Sequence, residues 1–169
     1  MLDHNLPFAN LNNDFYAYSL RVLILLKHLD RRKKSSKPTL NLRRLFLYDY
    51  LINRPFLLKT ILHRVGSENL IILEYEKTDI RRQNLQSFMD NHRLEIVLNA
   101  LISAEMVVSD FSNDLGLVFF HTARGNAILQ TIRTNFIERL EERAIAMHRL
   151  QSKSDFLLAT EINKIHKDF

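Results

Sequence analysis

Cysteine and tryptophan are absent from this chain of 169 residues, and glycine and proline each occur only three times. Without cysteine, the chain has neither a disulfide framework nor a thiolate metal site. So few glycines and prolines leave little room for the many turns of an all-β protein. Because 46% of the residues are hydrophobic, the chain is able to bury a core, and the composition predicts a mainly helical domain.

Long apolar runs are also missing. The longest unbroken one, residues 22–26, is far shorter than the roughly 20 residues that a membrane-spanning helix needs. The opening MLDHNLPFAN has neither the basic nor the apolar region of a signal peptide. We therefore expect a soluble, cytoplasmic protein without contact with a membrane.

Signatures of catalysis are missing as well. Three isolated glycines, at positions 66, 116 and 125, cannot form a phosphate-binding loop or a GxSxG nucleophile turn. The seven histidines are scattered, without an HExxH motif or a pair at the spacing of metal ligands on a helix. We expect no catalytic residues, no cofactor, no metal and no small-molecule substrate; an enzyme of unrecognised type is an alternative that no residue pattern supports.

Positive charge is concentrated in one segment. The net charge is +5, and residues 31–44 hold seven basic residues and no acidic one. The basic residues are Arg31, Arg32, Lys33, Lys34, Lys37, Arg43 and Arg44. The first five lie in a predicted loop and are candidate contacts for a DNA backbone, with an affinity that depends on salt and not on base sequence. A solvated loop that only keeps the protein soluble explains them equally well.

Apolar residues recur at helical spacing over most of the chain. They predict helices over residues 14–29, 39–55, 56–65, 85–106, 122–150 and 154–168, the second after a brief extended piece. Two short apolar runs around a Ser-Asn-Asp turn predict a hairpin with strands near 106–111 and 116–121. Residues 69–77 fit either a strand or an irregular insertion.

This order of elements is that of a winged helix. We therefore expect a mainly α (α+β) fold, with a winged-helix domain over residues 1–121 and an insertion at about 54–84. A long C-terminal helix and a terminal amphipathic segment would fill residues 122–169, with Thr122 as the N-cap of the long helix. The alternative is an ordinary small α+β domain with a hairpin.

Acidic residues give no sign of an active site. Asp49 lies within an apolar helix, so we expect a buried, hydrogen-bonded carboxylate and not a catalytic one. A second group of acidic residues alternates with arginines. Paired catalytic carboxylates need an apolar setting, so this mixed charge predicts a solvated helix face and not an active site. This set is Glu138, Arg139, Glu141, Glu142 and Arg143.

The elements with which a winged helix reads DNA have an unsuitable charge here. Residues 86–104, which would enter the major groove, contain one basic residue, Arg93, and two acidic ones. The hairpin tip carries Asp110 and Asp114, which would meet phosphates with like charge. We expect this wing to serve as scaffold or as a docking edge for a protein; a DNA-binding transcriptional regulator is the alternative function.

An apolar seam runs along the predicted long helix at the spacing of a coiled-coil stripe. It consists of Leu129, Ile132, Phe136, Leu140, Ala144, Met147 and Leu150. A continuous helix of this length spans about 40 Å, which is more than one small core covers. We expect the first half to fold back on its own domain. The second half is a candidate partner-binding surface or packs within the chain; it comprises Phe136, Leu140, Ala144, Met147 and Leu150.

Four stretches resemble a known family. "PFANLNNDFYAYSLRVLILLKHL" and "LNLRRLFLYDYLINRP" resemble the opening of the middle components of bacterial ABC-three-component systems, which include the Lamassu-type defence operons. "LISAEMVVSDFSNDLGLVFFHTARG" and "LEERAIAMHRL" continue the resemblance, the latter with an Arg-Ala pair at residues 143–144. After the second helix the chain departs from the family, because Asn-Arg-Pro-Phe stands where a His-Ser-Gly-Asp-like loop is common.

The resemblance implies a small winged-helix subunit without catalysis. Such a subunit would sit between an SMC-like ATPase and an effector, often a nuclease, in a complex that senses foreign DNA. It would help to restrain or position the effector, and any DNA contact would be non-specific and made through the complex.

Overall fold

The computed structural model describes residues 14–30, 40–66, 70 and 92–168. For residues 166–168 it describes the backbone without the side chains. Within these ranges the chain is mainly helical with one small antiparallel hairpin, as predicted. The elements are α1 (Phe15–Leu29), α2 (Leu42–Ile52), α3 (Pro55–Arg64), α4 (His92–Ser103), β1 (Val107–Ser112), β2 (Gly116–His121), α5 (Ala123–Thr131), α6 (Asn135–Ala146), a 3-10 helix (Met147–Leu150) and α7 (Asp155–Asp168).

Helix α1 is the centre of the molecule. It begins at Asp14, whose carboxylate accepts the amide N–H of Tyr16 at 2.7 Å and so caps the first turn. Residues 21–26 are all buried, and the helix packs against α2, α4, α5, α6 and β2. A helix that is apolar on nearly every side must lie inside the fold, and the sequence prediction for this helix is confirmed.

Asn41 and Pro55 mark the starts of α2 and α3. Asn41 accepts the N–H of Arg44 with its side chain at 2.9 Å and starts α2. Pro55 occupies the first turn of α3, where its missing N–H costs no hydrogen bond and its fixed φ suits a helix. The same proline therefore ends one predicted helix and begins the next.

The hairpin adopts the predicted position, with Phe111 opposite Leu117 and Ser112 opposite Gly116. Gly116 has a φ of +71°, which glycine adopts without steric strain and which closes the turn over residues 113–115. The brief extended piece before α2 runs beside β2. Asn41 forms a bridge with Val118 there, and the N–H of Phe119 donates to the carbonyl oxygen of residue 40 at 2.9 Å.

Thr122 is the predicted N-cap, and its hydroxyl accepts the N–H of Gly125 at 3.1 Å. The prediction of one long helix over residues 122–150 is wrong, however. The backbone becomes extended at Ile132, and Thr134 caps a separate helix by accepting the N–H of Ile137 at 3.3 Å. β-Branched residues disfavour a helix interior, and a threonine at an N-cap gains a hydrogen bond that it lacks inside a helix.

One hydrophobic core contains residues from both sides of position 121. Helix α3 occupies the first part of the predicted insertion, and its side chains at positions 57, 58, 61 and 62 belong to this core. The segment that fits a strand or an insertion, residues 69–77, lies outside the described residues except for Leu70. So do residues 85–91, the predicted start of α4.

Candidate partner-binding surface and buried charge cluster

The five candidate DNA-backbone contacts lie outside the described residues. They are Arg31, Arg32, Lys33, Lys34 and Lys37. The two remaining basic residues of this segment lie in the first turn of α2. Arg43 is exposed, whereas the guanidinium of Arg44 pairs with the carboxylate of Asp155 and donates to the carbonyl oxygen of Lys153 at 2.7 Å. Arg44 therefore ties the start of α7 to α2.

The seam of the C-terminal region turns inward. Four of the five candidate partner-binding residues are at most 1% exposed and belong to the core: Leu140, Ala144, Met147 and Leu150. Because the chain breaks before α6, this helix folds back along α1, and the following 3-10 helix packs against α1 and α3. The structure thus favours the intramolecular alternative for these four residues, and only Phe136, 38% exposed, remains available to a partner.

The charged face of α6 is only partly solvated, which corrects the sequence prediction. Arg139 and Glu142 do pair with each other along the helix at 2.6 Å. Glu141 instead reaches α1, where its carboxylate contacts Nζ of Lys27 at 2.6 Å. Arg143 donates to the carbonyl oxygen of residue 52 at 3.0 Å, at the end of α2. These polar contacts hold α6 in place against the first two helices.

Asp49 is buried and hydrogen-bonded, as predicted. Its Oδ1 accepts a hydrogen bond from Nε of Arg21 at 3.0 Å, and this pair joins the middle of α1 to α2. Both side chains are almost completely shielded from solvent. Nη1 of Arg21 is buried without a hydrogen-bond partner in the described part of the chain.

Aromatic rings and two further arginines surround this pair. The guanidinium groups of Arg21 and Arg93 lie 4.7 and 5.3 Å from the ring centroid of Tyr18. The buried Arg54 stacks on the ring of Tyr50 at 3.8 Å. These distances suit cation–π contacts. Arg93, the single basic residue of α4, is therefore engaged with Tyr18 of α1.

The surroundings shift the pKa values of this cluster. Burial, followed by the neighbouring Asp49 carboxylate, raises the pKa of Tyr18 above its ordinary range, so its phenol stays protonated. Burial also raises the pKa of Asp49, while the guanidinium of Arg21 opposes that shift. The cluster has the character of a structural link between helices, because its charged groups face one another and not an open cleft.

Sequence reasoning identified Asp49 but missed the residues that hold it. One signal was available: Arg21 interrupts an otherwise apolar helix that was expected to be buried. An arginine in such a helix requires a buried acceptor or a carboxylate partner, since an unpaired buried charge is very costly. Nothing local indicates that Arg54 and Arg93 approach the same place, because they come from separate helices.

Several large apolar side chains remain on the surface. Two of them, Phe111 and Leu117, face each other at the hairpin tip and are 72% and 51% exposed. Ile145 of α6 is 52% exposed, and Phe156 at the start of α7 is 72% exposed. An adjacent exposed apolar pair such as Phe111 and Leu117 is a feature of protein–protein interfaces, whereas single exposed residues such as Ile145 and Phe156 are normal on a protein surface.

Two further classes of site can be examined in the described ranges. Residues 14–30, 40–66, 70 and 92–168 contain no group of three histidine, aspartate or glutamate side chains placed to hold a metal ion. Within the same ranges, none of the helices combines the length and the apolar character that crossing a bilayer requires.

Residues 22–160 match the family described as ABC-three component (ABC-3C) system Middle Component 4. The chain belongs to this family. No curated protein matches the chain, and no solved structure does. The match runs from Val22 in α1 to Thr160 in α7, so it includes most of the single core described above.

As a middle component, the chain is an accessory subunit of an ABC-three-component defence system, and its family works in complexes with other components. The four stretches that resemble the family have clear structural roles in this middle component. The first two contain α1 and α2, which hold the Arg21–Asp49 pair. The Arg-Ala pair of the last stretch supplies the α2 contact of Arg143 and the fully buried Ala144.

Proposed function

We propose that this middle component is a non-enzymatic bridging subunit of a Lamassu-type system that acts against phages or plasmids in the cytoplasm. It joins an SMC-like ATPase to a nuclease effector and helps to restrain the effector until foreign DNA is sensed. Its scaffold is a winged helix composed of α1, the segment at Asn41, α2, α4 and the hairpin.

The family match carries this proposal, because a middle component works together with other components. The arrangement of α1, Asn41 beside β2, α2, α4, β1 and β2 supports a winged-helix scaffold with α3 placed before its third helix. The exposed Phe136 of α6 and the exposed Phe111–Leu117 pair of the hairpin support a role in protein binding. The ATP hydrolysis and the nuclease activity belong, in this proposal, to the partners.

Co-expression with the products of the neighbouring genes tests the proposal. We expect size-exclusion chromatography to give one stable complex that contains this chain, the ATPase and the effector. Elution of this chain only as a free monomer would contradict the bridging role. In the complex, we expect the nuclease to be less active than the same effector when it is purified alone.

The variant Phe136→Asp tests the part of the seam that stays exposed. Phe136 is 38% exposed at the start of α6, so a charge there should weaken assembly by about tenfold or more without unfolding the chain. Ile145→Asp is the matched control, since Ile145 is also exposed but lies nine residues further, on the opposite side of the helix. Equal assembly of Phe136→Asp and wild type would remove this residue from the interface.

A further inference from the structure

The hairpin has an inner edge that is paired and an outer edge that is not. At the inner edge, formed by β2, the N–H of Phe119 donates to the carbonyl oxygen of residue 40 at 2.9 Å. At the outer edge, formed by β1, none of the described residues adds a further strand. Residues 109–111 of this edge are exposed. Within the described part of the chain, the outer edge is therefore open to another strand.

The register shows which backbone groups of β1 point to the open edge. The N–H of Phe119 points to residue 40 and so away from β1, which means that its cross-strand partner Ser109 points away from β2. Inward and outward residues alternate along an antiparallel strand, so the N–H and C=O groups of Phe111 also point outward. Val107 follows the same alternation but is only 1% exposed. The accessible groups of the edge are therefore those of Ser109 and Phe111.

Asp110 occupies one of these groups with its side chain. Its Oδ1 accepts the N–H of the next residue, Phe111, at 2.8 Å. Asp110 is also the only charged residue of β1, whose other members are two valines, two serines and a phenylalanine. Valine and phenylalanine favour strands, and β1 lacks the lysines and prolines that commonly protect an exposed edge. Asp110 is therefore the residue of β1 that opposes pairing at this edge.

The open edge is complementary to a second copy of itself. An antiparallel pair that is two-fold symmetric about Phe111 places Phe111 opposite its counterpart and residue 110 opposite 112. The exposed Leu117 is the cross-strand neighbour of Phe111, so each copy would add two apolar side chains to the contact. A pair that is symmetric about Ser109 would instead require the buried Val107 at the interface. The exposed part of the strand therefore favours the register about Phe111.

We propose that the outer edge of β1 is a strand-pairing site for a second copy of this chain, and that the Asp110 carboxylate keeps this site closed by holding the N–H of Phe111. In the two-fold pair, this N–H donates to the carbonyl oxygen of Phe111 in the other copy. The bond to Asp110 therefore competes with the central hydrogen bonds of the pair. The inference concerns the chain alone and goes beyond its proposed bridging role.

Light scattering of the full chain over a series of concentrations tests the role of Asp110. Asp110→Ala removes the acceptor without favouring a strand by itself, and it should dimerise at a concentration at least about tenfold lower than wild type. Asp110→Asn removes the charge but keeps an acceptor oxygen, and Asp114→Ala removes the same charge from the turn, so both should behave as wild type. An Asp110→Ala variant that stays monomeric, or equal dimerisation of either control, would overturn the proposal.

Cysteine cross-linking tests the register, because the chain has no cysteine of its own. The double variant Asp110→Cys, Ser112→Cys removes the carboxylate and places thiols opposite each other between copies, with Cα atoms about 4.5 Å apart, which a disulfide spans. Ser109→Cys combined with Asp110→Ala is the control, since its two thiols would be separated by four residues along the pair, about 14 Å. Oxidation should give a covalent dimer of the first variant only. A dimer of the control, or of neither variant, would overturn the proposed pairing.

Discussion

Asp49 places a negative charge in the core, with Arg21 paired to it and two more arginines nearby. Removing these groups from water costs energy that their mutual attraction only partly returns, so such pairs add little net stability. Removing one partner is much worse, because the other charge then stays buried without compensation. We therefore expect the pair to specify how α1 and α2 fit together more than it strengthens the fold.

Substitution of one or both partners should show this asymmetry. We expect Asp49→Asn to lower the free energy of unfolding by about 3–5 kcal/mol, because it leaves the guanidinium of Arg21 buried beside a neutral amide. The double variant Arg21→Met, Asp49→Leu removes both charges, and its free energy of unfolding should fall clearly less than that of Asp49→Asn. Urea unfolding at neutral pH measures both values. If the double variant loses as much stability as the sum of the losses in the single variants Arg21→Met and Asp49→Leu, the pair does not couple as proposed.

At the scale of elements, the contact between α1 and α6 depends on ionisation. Glu141 of α6 contacts Lys27 at 2.6 Å and Nε2 of His28 at 3.3 Å. Burial lowers the pKa of His28 below its ordinary value of 6.5, although its hydrogen bond with Glu141 opposes this. Burial acts to raise the pKa of Glu141, but hydrogen bonds from Lys27 and His28 outweigh it, and the net pKa is lowered.

Both shifts predict a loss of stability on acidification. At a pH between the pKa of His28 in the folded chain and its pKa in the unfolded chain, the unfolded chain binds more protons than the folded one. The free energy of unfolding therefore falls as the pH drops below about 6.5. Glu141 adds the same tendency below its ordinary pKa of 4.5. We expect urea midpoints measured between about pH 7.5 and pH 5 to decrease, and His28→Gln to flatten this decrease. His63→Gln, which changes an exposed histidine of α3, should not flatten the decrease. Equal slopes for the two variants would contradict the prediction.

The sequence predicted elements well where apolar spacing and caps agree. Helix α1, the hairpin and the cap at Thr122 follow from local patterns that the tertiary structure does not oppose. The prediction of one long C-terminal helix failed because the apolar spacing continues across Thr134. The preference of a threonine for an N-cap position starts a new helix there. The apolar period shows which residues face inward, but it does not show where a helix breaks and folds back.

The candidate site was predictable to a smaller extent, for the same reason. The residues from Leu140 onward form an apolar seam in the sequence, but the sequence leaves open whether the chain itself or another protein covers them. Once the helix breaks, α1 is close enough to do so. The exposure of Phe111 also depends on tertiary structure. In the alternation of β1, Phe111 lies on the same face as Val107, yet Val107 is buried and Phe111 is exposed.

At the scale of the whole molecule, α7 closes the core by packing against α2 and α3. Its inward side chains Leu158, Ile162 and Ile165 are at most 2% exposed. Two ion pairs fasten it: Asp155 binds Arg44 of α2, and Glu161 binds Arg64 of α3. Residues far apart in the sequence thus meet here, and the fold depends on its last described helix.

Truncation after residue 154 tests this dependence. Each buried side chain of α7 contributes about 1.5–3 kcal/mol, so losing three of them costs about 5–9 kcal/mol, a loss as large as the whole stability of many domains. We expect the truncated chain to lose its cooperative thermal transition and to bind a hydrophobic dye. Arg64→Ala removes the half-exposed ion pair with Glu161 and should cost at most about 1 kcal/mol. A sharp transition in the truncated chain would show that the remaining helices form a complete core.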